Sequence, residues 1–128
     1  MKTYSRLTLA FLLLILFVPP VVAGGPPENG PYVEYFENGK QETHYKNGKL
    51  DDLWTEWYEN GQKSYEGHMK NGKEEGLWTK WYENGQKNLE GYCKNGKREG
   101  LFTSWHENGR KDAEVYYKDR EILTFRRF

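Results

Sequence analysis

The sequence predicts an all-β protein: an elongated, twisted antiparallel sheet built from tandem β-hairpin repeats of about 24 residues. Three observations predict it. Asn-Gly recurs with its Asn at 38, 47, 60, 71, 84, 95 and 108, and beyond the first unit the gaps alternate between 11 and 13 residues. The string WYENGQK stands twice, at 57–63 and 81–87. Large flat side chains fall into columns when the units are stacked on their first Asn. Asn-Gly between alternating apolar and polar residues signals a hairpin, because a type I′ turn needs positive φ at both centres. With a turn every 9–13 residues, no stretch is long enough for a stable helix.

The first element does not belong to the sheet. Lys2 and Arg6 precede an apolar run from Leu7 to Val18, Pro19 and Pro20 break it, and Val21-Val22-Ala23 offers small residues before Gly24. This is the layout of a secretory signal peptide over residues 1–23, and the run is short for a spanning helix, which wants about 20 residues. The expected location is therefore periplasmic or secreted, with an N-terminal membrane anchor as the alternative. Removing residues 1–23 leaves a chain long enough for one domain, with 17 basic against 19 acidic residues interspersed throughout. With no cationic stripe, nucleic acid is a poor electrostatic partner. One cysteine, Cys93, excludes an internal disulfide, so stability has to come from packing.

Residues 24–31, GGPPENGP, read as a Pro/Gly linker without packing content. Residues 32–121 hold four repeats, the first two residues shorter than the others. Six positions before the first Asn stand Tyr32, Trp54, Trp78 and Phe102; three before it, Tyr35, Trp57, Trp81 and Trp105; two before it, Phe36, Tyr58, Tyr82 and His106. Ahead of the second turn stand His44, His68, Tyr92 and Tyr116, then Tyr45, Met69, Cys93 and Tyr117. Rings in register are expected to lie beside rings across the sheet, and four hairpins bury what one alone cannot. Two-residue loops would pair Glu83 with Gln86 and set Trp78 opposite Gly91 and Trp54 opposite Gly67, each ring shielding a glycine. Trp78 and Trp81 differ by three, so they point to opposite faces. Glu37, Glu59, Glu83 and Glu107, with Lys46, Lys70, Lys94 and Lys118, read as solvated turn positions. Residues 122–128 alternate without another Asn-Gly and read as a capping strand.

YEGHMKNGKEEG at 65–76 and LEGYCKNGKREG at 89–100 resemble the MORN repeat, and the following LWTKWYENG resembles its bacterial variant, found in YwqK-type antitoxins. The resemblance spans about residues 32–121. It implies an elongated sheet of successive hairpins serving as an interaction scaffold, without catalytic residues. In the YwqK-type branch it implies an antitoxin or immunity role against a toxin.

The residues themselves argue against chemistry. Cys93 shares its column with Tyr45, Met69 and Tyr117 and reads as an apolar filler. His44, His68 and His106 are rings in ring positions, and the glutamates repeat with the turns without converging as an acid/base pair. No nucleophile elbow, phosphate loop or zinc pattern is present. The expectation is a non-enzyme with no cofactor and no metal, binding another exported protein such as a toxin or envelope protein. The alternative is a glycan- or lipid-surface binder using exposed Trp and Tyr. Candidate contact residues are Trp54, Trp57, Tyr58, Trp78, Trp81, Tyr82 and Trp105, since hot spots favour rigid Trp and Tyr; the face of Trp57 and Trp81 is preferred, because Trp54 and Trp78 are assigned to covering Gly67 and Gly91.

Overall fold

In the computed structural model, residues 25–128 are described, and the signal-peptide reading of residues 1–23 lies outside them. Every regular element among these residues is a strand: β1 (Gly30–Phe36), β2 (Gly39–Lys46), β3 (Lys49–Leu50), β4 (Asp52–Tyr58), β5 (Lys63–Lys70), β6 (Lys73–Trp81), β7 (Lys87–Lys94), β8 (Lys97–Trp105), β9 (Lys111–Lys118) and β10 (Glu121–Arg127). They form one antiparallel sheet in the order β1-β2-β4-β5-β6-β7-β8-β9-β10, with β3 paired to β2. Strands joined by a turn are neighbours in the sheet, and β3 and β4, one residue apart, both pair with β2.

At Asn38 the turn lies one residue earlier than expected: Phe36 pairs with Gly39, so Glu37-Asn38 form the loop and Gly39 opens β2. The later Asn-Gly turns are of two kinds. Asn47, Asn71 and Asn95 have φ near 50°, and the glycines after them are also positive, so these are the expected two-residue turns, closed by Lys46–Lys49, Lys70–Lys73 and Lys94–Lys97. Asp119-Arg120 makes a fourth such turn without Asn-Gly, with φ of 52° and 74°. At Asn60, Asn84 and Asn108 only the glycine is positive. There Gly61 N–H donates to Tyr58 O and Tyr58 N–H to Gln62 O, a loop one residue longer than expected, and the Asn60 side chain accepts from Gln62 N–H. So Glu83 does not pair with Gln86; Tyr82 does. The asparagine is needed there for its side-chain oxygen, not for a left-handed backbone.

Trp78 nevertheless faces Gly91, and Trp54 faces Gly67. A bulge next to each long loop, between Lys80 and Trp81 and between Glu56 and Trp57, restores the register that the extra loop residue shifts. A second irregularity occurs once per unit at Asp52, Gly76 and Gly100, all with φ between 75° and 82°.

One row crosses the sheet on the core face: Trp54, Gly67, Trp78, Gly91, Phe102, Val115, Phe125. Its glycines are covered differently from the expectation. A Cβ on Gly67 would meet Trp78, and one on Gly91 would meet Phe102, so each ring lies back on the preceding unit. The extra residues at Gly76 and Gly100 bend β6 and β8 just before these rings and turn them that way. Rings of one column do not stack on each other either. They stand two strands apart, about 9.6 Å, beyond the reach of ring contact. The observed pairs join different columns: Tyr65 with Trp78 at 4.8 Å, and Phe102 with Tyr117 at 5.2 Å.

The core cluster is Trp78, Cys93 and Phe102, with Trp54, Tyr65, Met69, Leu89 and Tyr117 against it. The segment read as a linker does pack. Glu28 O accepts from Gly48 N–H, and Asn29 Oδ1 accepts from Asn47 N–H, capping the Asn47-Gly48 turn. Leu50 O and Glu74 O take the same place for Gly72 and Gly96, so the N-terminal residues supply the acceptor that a preceding unit supplies to the two later turns.

Candidate functional site

Alternation along each strand separates the aromatic columns onto two faces. The core face carries Trp54 and Trp78. Trp54 is half-buried and its Nε1–H donates to Glu56 Oε1 at 3.0 Å. Trp78 is 5 % exposed, and its buried Nε1–H has no protein partner. Arg98 lies over the rings of Phe102 and Tyr117, closing this face with a cation.

The opposite face has a buried floor of Thr55, Thr79 and Thr103. Glu66 accepts from Thr55 Oγ1 and from Lys63, and Glu90 repeats this with Thr79 and Lys87. Trp57, Trp81 and Trp105 stand half-buried on this threonine face. Lys40 sits 4.3 Å from the Trp57 ring centre and Lys87 5.7 Å from that of Trp105. A cleft of about 200 Å³ runs between Leu53, Thr55, Trp57 and Glu66.

Tyr58 and Tyr82 are tied into the sheet. Tyr58 Oη donates to Trp81 O at 2.7 Å and Tyr82 Oη to Trp105 O at 2.8 Å, bracing each unit to the next. Desolvation, then the Glu83 and Tyr82 charges, push the Tyr58 hydroxyl above the ordinary tyrosine range. The seven sequence candidates therefore do not form one patch: Trp57, Trp81 and Trp105 share the threonine face, while Trp54 and Trp78 belong to the other.

The threonine face also holds leucines that the column reading passed over. Leu53 pairs with His68, Leu77 with Tyr92 and Leu101 with Tyr116. All six are exposed, Tyr92 to 58 %. Leucine recurs immediately before Trp54, Trp78 and Phe102, and that regularity was the available signal.

Cys93 is buried, and burial, with Glu74 beside it, pushes its thiol up to about 11, so the thiolate is scarce at neutral pH. His68 Nδ1 lies 3.7 Å from Asp52, and His106 Nε2 3.4 Å from Asp112. No group of three or more His, Cys, Asp or Glu side chains is placed to hold a metal among the described residues.

A family model described as MORN repeat variant matches residues 28–47, 53–71, 74–95 and 98–119. Its four matches coincide with the four units of the sheet. No curated protein matches the chain. Among solved structures, the Glycosylation Associate Protein (Gap123) complex from Streptococcus agalactiae is similar at 16 % identity and a TM-score of 0.42. The alignment covers 78 % of this chain, which spans only 19 % of that one.

Proposed function

The chain belongs to the MORN repeat variant family, and we propose that it works as an exported, non-catalytic scaffold that binds another exported protein along its threonine face. The observation that carries this reading is the exposed row of Leu53, Leu77, Leu101, Tyr92 and Tyr116 beside Trp57, Trp81 and Trp105. The core face spends its large rings on packing, whereas this row spends apolar side chains on nothing within the sheet. Repeated exposure of leucine and tyrosine on a rigid surface, rimmed by charge, is the composition of a protein-contact surface. A toxin is the class of partner that the likeness to YwqK-type antitoxins suggests, met outside the cytosol if residues 1–23 direct export. Lysines over the Trp57 and Trp105 rings favour a protein over a stacked sugar, which would have to displace them.

The test is capture from envelope extract with the wild-type chain and with a Leu77→Glu/Leu101→Glu variant of unchanged melting temperature. A protein retained by the first and lost by the second supports the reading. Equal retention by both, or retention of glycan instead of protein, overturns it.

A further inference from the structure

The two edges of the sheet differ. β1 carries Pro31, which has no N–H for a further strand, and the charges on and around it, Glu28, Glu34 and Glu37, are all negative, so a second copy of β1 is repelled. Proline and like charge keep an edge from pairing, whereas β10 carries both signs, Glu121 with Arg126 and Arg127. β10 has no proline, and Ile122, Leu123, Phe125 and Phe128 are all more than half exposed, Phe125 to 65 %. Yet β10 ends the row that elsewhere is covered: Phe102 pairs with Val115, and Val115 with Phe125. We propose that β10 is an assembly edge, pairing antiparallel with β10 of a second copy of this chain about a two-fold axis normal to the sheet.

Topology selects this symmetry. Nine strands lie on the sheet path, each antiparallel to its neighbour, so β1 and β10 run in the same direction. Head-to-tail stacking with faces matched would join β10 in parallel to the proline-bearing β1. A two-fold axis normal to the sheet joins β10 to itself antiparallel and continues core face into core face.

The bulge in β10 then fixes the register. Opposed residues share a face, so a regular strand pairing with its own copy must oppose residues whose numbers sum to an even value. β10 is irregular between Ile122 and Thr124. Ile122 pairs with Tyr117 and Phe125 with Val115, both core-face residues, although 122 and 125 differ by three. The same shift puts Glu121, opposite Lys118, and Arg126, opposite Glu114, together on the threonine face. The odd register that opposes Ile122 to Phe125 of the second copy therefore keeps both on the core face. It also opposes Glu121 to Arg126 on the other face, and symmetry forms each pair twice. Phe128 N–H points inward to Asp112 O, so by alternation Phe125 turns its own N–H and C=O outward, as pairing requires.

Sedimentation equilibrium of the full chain, with circular dichroism as the fold control, tests this. The wild type is expected to form a concentration-dependent dimer; a monomer throughout the soluble range overturns the proposal. Glu121→Arg and Arg126→Glu each oppose like charges twice and should weaken the dimer about tenfold. The Glu121→Arg/Arg126→Glu double variant should recover wild-type association. A double variant no tighter than the singles refutes the register, and an open series of higher assemblies refutes the two-fold symmetry.

Discussion

Replacing Gly67 with alanine puts a methyl group into space that the Trp78 ring already fills. The new Cβ would lie 2.1 Å from ring Cδ2 and 2.4 Å from Cε2 and Cε3. Gly67 does not have a positive φ, so its backbone accepts alanine, and reduced chain entropy even favours the change by about 0.5–1 kcal/mol. The cost is therefore steric. Reaching an ordinary contact of about 3.6 Å requires the ring to retreat by about 1.5 Å. Overpacking of this kind costs about 1–3 kcal/mol. Uncovering about 50 Å² of a tryptophan that buries about 200 Å² adds about 1.3 kcal/mol. Net of the entropy gain, Gly67→Ala should destabilise by about 1.3–3.8 kcal/mol, centred on about 2–3 kcal/mol. The control is Gly72→Ala, where φ is 76° and nothing lies within 4 Å of the added carbon. It should cost only the left-handed penalty, about 1 kcal/mol. Urea unfolding followed by circular dichroism measures both, and the thermal midpoint of Gly67→Ala should fall by about 10 °C or more. On a Trp78→Leu background the Gly67→Ala penalty should vanish. A Gly67→Ala cost below that of Gly72→Ala, or an unchanged cost without the Trp78 ring, refutes the ring-over-glycine account.

Trp78→Ala should cost about 3–5 kcal/mol in unfolding experiments, since the ring is buried, whereas Trp81→Ala should cost less stability and instead weaken the captured protein's binding by about 2 kcal/mol in titration. The reverse pattern would mean that the faces are assigned backwards. Tyr58→Phe and Tyr82→Phe each remove one inter-unit hydrogen bond and should cost about 1 kcal/mol apiece; unfolding curves coincident with wild type would show that the braces contribute nothing. Cys93→Val should leave binding intact, and a loss of binding with unchanged dichroism would show that the thiol reacts. The Cys93 thiol is raised from 9.0 to about 11 and the Tyr65 hydroxyl from 10.0 to about 12, both chiefly by burial. Folding thus favours their protonated forms, and stability should be full below pH 9 and fall as pH rises through 9 to 12, because the unfolded chain releases these protons first. In Cys93→Val the decline should start later, and an identical onset would contradict the cause.

The repeat made most of the architecture legible. Turn spacing excluded helices, the Trp78–Gly91 and Trp54–Gly67 registers follow from counting, and alternation separated Trp78 from Trp81. The Trp78 register came out right even though its loop did not, because the extra residue at Tyr82–Gln86 and the bulge at Lys80–Trp81 cancel. Of the candidate surface, the face of Trp57 and Trp81 was visible in the sequence, but the exposed leucines were not singled out. A leucine column reads equally as core or surface until the side of the sheet that closes is known.

Local chemistry determined what the sequence could show alone. From Asn47 onward Asn-Gly sets a turn at each position, and a 24-residue period repeats one hairpin whatever surrounds it, whereas Asn29-Gly30 leads into β1. Which ring covers which glycine is not local. It depends on the extra residues at Gly76 and Gly100, whose bends are felt only when the neighbouring strand is in place, and they lay Trp78 on Gly67 and Phe102 on Gly91. The edges are likewise a property of the finished sheet. Pro31 and Phe125 are ordinary residues in the chain, and only the strand order makes one a barrier and leaves the other uncovered.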